Sequence, residues 1–127
     1  MKPNAGVWLD HREAVVIVLT EFGESVKTIP SAVVKQHAKE MPADDIRERV
    51  HTEHLSRYYD EIIAHLRNAG AIAIFGPGEA KGELKKRFEA HKDESRAITV
   101  EAADNMTVHQ VVAMVRVRFD ETLKRGR

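Results

Sequence analysis

The run Ala71-Ile72-Ala73-Ile74-Phe75 is apolar at every position and stops at Gly76-Pro77-Gly78. A strand with one face in water would carry a polar residue at every second place. This run has none, so it is suited to burial on both faces. That is the property of a parallel strand covered by helices, and it predicts a central strand in an α/β sheet.

The flanking sequence meets that demand. Leu55, Tyr58, Tyr59, Ile62, Ile63 and Leu66 make a stripe with the 3.6-residue helical period. They predict a helix that starts between residues 43 and 54 and runs to 69, with Pro42 placed for a first turn and Gly70 as its stop. Beyond the glycine turn, Ala80, Leu84 and Phe88 recur four apart and predict a helix over residues 79–91. Ala97-Ile98-Thr99-Val100 reads as the last strand. Thr107 and Gln110 then have capping-box spacing, ahead of a stripe of Val108, Val111, Val112, Val115, Phe119 and Leu123. Valine lowers helix propensity, but the period is helical.

The first third reads as β-structure. Gly6 to Asp10 is a short apolar segment. Residues 14–19, Ala-Val-Val-Ile-Val-Leu, suit a buried strand. Phe22-Gly23-Glu24 offers a turn into a third strand over residues 25–34. Pro30 cannot donate to a ladder, which places that strand at an edge. The order is βββ-α-β-α-β-α. It predicts an α/β, single-domain, five-stranded mixed sheet over residues 1–127, with helices on both faces. Residues 35–57, polar and sparse in apolar positions up to Val50, are expected to be the most mobile part.

Composition narrows the functions. The chain has 20 basic and 20 acidic residues, a balance that counts against indiscriminate gripping of nucleic acid. It has no cysteine, which excludes disulfides and thiolate metal sites. No apolar run follows Met1-Lys2-Pro3-Asn4 as a signal peptide requires, and none approaches the roughly 20 residues of a membrane helix. The expectation is a cytoplasmic protein with no membrane partner.

Three constellations could carry chemistry. Gly76, Pro77 and Gly78, followed by Lys81, Lys85 and Lys86, place a glycine turn and positive charge at a helix start, where exposed amides can meet an anion or RNA phosphate. A tight turn before a solvated helix is the plainer reading, and Glu79, expected in the first helical turn, would occupy the positive end of the dipole. His51 and His54, with His65, Glu53 and Glu61, lack a His-Glu-x-x-His pattern and are read as a solvated helix face rather than a metal site. Asp10, in the turn Asp10-His11-Arg12-Glu13, could open a carboxylate cluster of nuclease type, but only Glu101 and Asp104 are available as remote partners. No metal, cofactor or catalytic residue is expected. Of the two tyrosines Tyr58 and Tyr59, one is expected in the core and one at its rim. Trp8 is expected to pack in the sheet.

The element order, the hairpin Gly6-Val7-Trp8-Leu9-Asp10-His11-Arg12-Glu13-Ala14-Val15-Val16-Ile17, and the stretches Tyr58-Tyr59-Asp60-Glu61-Ile62-Ile63 and Ile72 to Lys81 together resemble a known domain. It is the middle domain of the archaeal and eukaryotic peptide-release factors and of Pelota, with the ribonuclease H-like fold of translational machinery components. A bacterial group of release-factor-related translational machinery proteins is similar. In that family the corresponding strand also ends in a Gly-Pro-Gly-like turn with a lysine soon after. Release factors carry Gly-Gly-Gln between the third strand and the first long helix. Here residues 30–57 hold no glycine, and Gln36 is their only glutamine. The tripeptide needs glycines for close backbone approach, so peptidyl-tRNA hydrolysis does not carry over. The resemblance implies a non-catalytic, translation-associated module that binds the ribosome, ribosomal RNA or tRNA. The alternatives are an enzyme, either a metal-dependent nuclease or a degenerate peptidyl-tRNA hydrolase, and a homo-oligomeric stress or scaffold protein with no nucleic-acid role.

Overall fold

The computed structural model describes residues 2–31, 44–90 and 97–125, the side chains of 44–52 and 121–125 excepted. The elements run β1 (Asn4–Leu9), β2 (Glu13–Thr20), β3 (Gly23–Pro30), α1 (Asp44–Leu66), β4 (Ala71–Gly76), α2 (Ala80–Glu89), β5 (Ala97–Ala102) and α3 (Val108–Arg125). The described residues form one five-stranded sheet in the order β3-β2-β1-β4-β5. β1, β2 and β3 pair antiparallel, and β4 runs parallel to both β1 and β5. The fold is the expected mixed α/β sheet. β4 lies inside it beside β1, as its two-faced apolarity requires, and β3 is an edge.

Alternation along the strands sorts the core into two halves. Val7, Leu9, Ala14, Val16, Ile72 and Ile74 point to the face covered by α1 and α2, against Tyr58, Tyr59, Ile62, Ile63, Leu66, Leu84 and Phe88. Trp8, Val15, Ile17, Ala73 and Phe75 point the other way, against Val111, Val115 and Phe119 of α3. A large apolar side chain fully buried in this way contributes about 1.5–3 kcal/mol relative to exposure. α3 lies directly on Gly6, where an added Cβ would come within 2.4 Å of Val115 Cγ2. Its start is capped as the spacing predicts. The Thr107 amide donates to Gln110 Oε1 at 2.8 Å, and the Gln110 amide donates to Thr107 Oγ1 at 3.2 Å.

Some expectations need correction. α1 ends at Leu66, not 69, and Gly70 is not its stop. The Gly70 amide donates to the Pro3 carbonyl at 2.9 Å, so the sheet recruits this glycine to lead into β4. β3 begins earlier than expected, at Gly23, and ends at Pro30. Residues 32–34, assigned above to that strand, lie outside the described residues, as does most of the leading part of the 35–57 segment. No helix among the described residues is long and apolar enough to cross a membrane.

Candidate functional site

The carboxyl ends of β1 and β4 meet the turns that follow them and the start of α2. In parallel α/β sheets this edge is where ligands generally sit. Gly76 is buried, with φ +154°, and a Cβ there would lie 2.1 Å from the Leu9 carbonyl oxygen. Only glycine lets the end of β4 run this close to the end of β1. The Gly76 carbonyl accepts the Ala103 amide at 3.1 Å, which fastens the end of β5 to the same point. Pro77 is half-buried. Gly78 is exposed, with φ +65° and open space where a Cβ would be.

The lysines behave differently from one another. Lys81 Nζ donates back to the Gly78 carbonyl and covers the turn. Lys85 is half-buried one helical turn on, beside the Ala80, Leu84, Phe88 face that α2 buries. Lys86 is exposed and lies about 200° around the helix from Leu84, away from the sheet. The turn and Lys81 are therefore together, Lys85 continues their line, and Lys86 faces elsewhere. Glu79 is the N-cap residue rather than a first-turn residue, and its side chain makes no cap hydrogen bond.

The turn after β1 is tied to both neighbouring helices. Asp10 Oδ1 accepts the amides of Arg12 at 2.8 Å and Glu13 at 2.9 Å, an Asx turn that fixes the bend. Tyr58 donates its hydroxyl to the Asp10 carbonyl at 2.9 Å. Tyr59 donates to Glu83 Oε1 at 2.5 Å, and His11 Nε2 stands 3.0 Å from the same oxygen. Both tyrosines are buried, at 3% and 4% exposure, with ring centroids 5.4 Å apart. The expected split into core and rim is corrected: the pair lies wholly inside because each hydroxyl finds an acceptor there. Burial pushes both phenols above their usual titration range. The Asp10 charge adds to this at Tyr58, and the hydrogen bond to Glu83 adds to it at Tyr59.

On the α3 side, Trp8, Asp10, Arg12, Glu13, Pro30, Ser31, Asn105 and Met106 line an open cleft of about 470 Å³. Trp8 is buried, as expected, and donates Nε1 to the Asp104 carbonyl at 3.0 Å. Ser31 is fully buried, and its amide donates to the Arg12 carbonyl at 2.8 Å.

Two of the three acids weighed for nuclease chemistry are engaged separately. Asp10 holds its own turn, and Glu101 pairs with Arg118 at 2.9 Å. No group of three or more potential ligands capable of holding a metal occurs among the described residues. His65, Glu53 and Glu61 are exposed, His54 is half-buried, and the side chain of His51 is outside the described set. Sequence reasoning missed Glu83 as the joint between α1, α2 and the first turn. Its only signal was a carboxylate one position before the buried Leu84.

No family model matches the chain, and no curated protein matches it. Solved structures do. The Pelota protein of Thermoplasma acidophilum superposes with a TM-score of 0.60 at 21% identity, over 87% of this chain and 30% of that one. An archaeal translation termination factor gives 0.52 at 14% identity, over 90% and 34%. Dom34 of S. cerevisiae, a translation termination-like factor involved in RNA quality control pathways and interacting with Hbs1, gives 0.52 at 13% identity, over 87% and 31%. The chain thus has the fold of a Pelota- and release-factor-like domain and spans about a third of the length of each of these proteins.

Proposed function

We propose that the chain is a non-catalytic, translation-associated module that works in the cytoplasm and binds the ribosome, ribosomal RNA or tRNA. The observation that carries this reading is the fold shared with Pelota, Dom34 and a translation termination factor. Binding is favoured over hydrolysis because residues 30–57 contain no glycine, whereas the release-factor tripeptide needs two.

The contact assigned to this function is the turn Gly76-Pro77-Gly78 with Lys81, Lys85 and Lys86. Exposed Gly78 leaves room for a phosphate close to the backbone at the start of α2. Lys81 and Lys85, one turn apart, can address neighbouring phosphates, while Lys86, on another side of α2, adds positive charge near the site without joining their line. Phosphate contacts release counterions, so affinity must fall with salt. The test is co-sedimentation of the tagged chain with purified ribosomes over a salt series. Pelleting at low salt that fades at high salt supports the reading. No pelleting at any salt refutes it, and salt-indifferent pelleting refutes the phosphate contact in favour of a protein one.

A further inference from the structure

The outer edge of β3 has a self-complementary pattern. The Ser31 amide donates to the Arg12 carbonyl, and the ladder pairs residues whose numbers sum to 43, from Glu13 with Pro30 to Thr20 with Gly23. Antiparallel ladders alternate, so the odd residues of β3 bond to β2 and the even ones turn their amides and carbonyls outward. The outward donors are Glu24, Val26 and Thr28. The next even position is Pro30, which has no N–H to leave unsatisfied. Among the described residues no strand pairs with this edge. The even side chains lie on the α3 face, because Val26 stands opposite Ile17. Val26 on that face is 44% exposed, and Phe22, in the turn at the end of the edge, is 92% exposed.

We infer that β3 pairs antiparallel with β3 of a second copy, about a two-fold axis through Val26, to make a continuous sheet across a homodimer. In that register Val26 meets Val26, Glu24 meets Thr28, Lys27 meets Ser25, and Phe22 falls opposite Pro30. All three outward donors of each copy find carbonyls. No like charges stand directly opposite, and the apolar residues Phe22, Val26 and Pro30 cover one another. Sliding by two residues in one direction sets Lys27 against Lys27 and requires a donor from Pro30. Sliding in the other sets Thr28 opposite Phe22, in the turn beyond the end of the partner's strand. An isologous contact of this kind closes on itself, so it gives dimers and not fibres. The Glu24 carboxylate is held by Arg116 at 2.6 and 2.8 Å, which braces the edge from α3.

The test uses the full chain. Sedimentation from micromolar to millimolar concentration is expected to show a monomer–dimer equilibrium. Val26→Pro removes a donor that β2 does not use and should shift the chain to monomer with unchanged circular dichroism. A chain that is monomeric at every concentration overturns the inference. Because the sequence has no cysteine, Val26→Cys carries a single thiol. Across the two-fold axis the paired Cα atoms would be about 5.5 Å apart, within disulfide range. Mild oxidation should convert Val26→Cys into a covalent dimer. It should leave Val117→Cys, which is 56% exposed on α3, monomeric. Equal crosslinking of the two, or none at Val26→Cys, overturns the register.

Discussion

The two turns that bound β2 are both short, and they differ in what holds them. The turn after β1, with Asp10, His11 and Arg12, is tied to α1 by Tyr58 and to α2 by the contact of His11 with Glu83. It also lies beside the close approach of Leu9 to Gly76. The turn between β2 and β3, Glu21-Phe22, is held, among the described residues, by its neighbour Thr20. Thr20 Oγ1 accepts the Phe22 amide at 3.2 Å and donates to the Gly23 carbonyl at 3.2 Å. The first turn joins sheet and helices at the end assigned to the partner. The second presents a nearly bare phenylalanine at the end of an edge that no described strand pairs with. Turn chemistry sets the local bend in both, and tertiary contact decides which one the fold depends on.

The first turn depends most heavily on Gly76. Gly76→Ala places a methyl against the Leu9 carbonyl on a backbone with positive φ, and is expected to cost about 3 kcal/mol or more. A fall in denaturant midpoint at unchanged slope is the readout. A cost under about 1 kcal/mol would mean that the two strand ends can part without harm.

Tyr58→Phe should cost about 1 kcal/mol, since the Asp10 carbonyl then loses its buried donor. The buried phenols of Tyr58 and Tyr59 also predict a pH effect. Their folded-state pKa values lie above the unfolded value of about 10, so the native state holds its phenol protons longer than the unfolded one. That stability is fully present below pH of about 10 and is lost as pH rises further. Stability measured against pH should fall on the alkaline side, and fall less steeply in Tyr58→Phe. A flat profile would contradict the burial of the pair.

Phe22→Ser, measured at dilute concentration where the chain is monomeric, should change stability by no more than about 0.5 kcal/mol. A loss equal to that of Tyr58→Phe would show that the second turn is anchored after all.

How much of this was legible in the sequence follows from the same contrast. The two-faced run at residues 71–75, the four-residue recurrence of Ala80, Leu84 and Phe88, the capping box at Thr107 and the edge position of Pro30 all express local periodicity or a missing donor. All of them appear in the structure. The joint at Glu83, the double burial of Tyr58 and Tyr59, the recruitment of Gly70 by Pro3 and the Trp8 cleft depend on pairs 24 to 96 positions apart. One sequence carries no marker for such pairs. Gly76 was visible as a turn residue, but its reason, the Leu9 carbonyl, was not.

The division of labour between the two ends is tested most directly by ribosome co-sedimentation at low salt, comparing Lys81→Glu/Lys85→Glu with Val26→Glu. Both variants change exposed or half-buried positions and should keep the fold. The double lysine variant is predicted to stay in the supernatant, while Val26→Glu pellets like the unaltered chain. Pelleting of the lysine variant at the unaltered level, or loss of binding in Val26→Glu, would contradict the account.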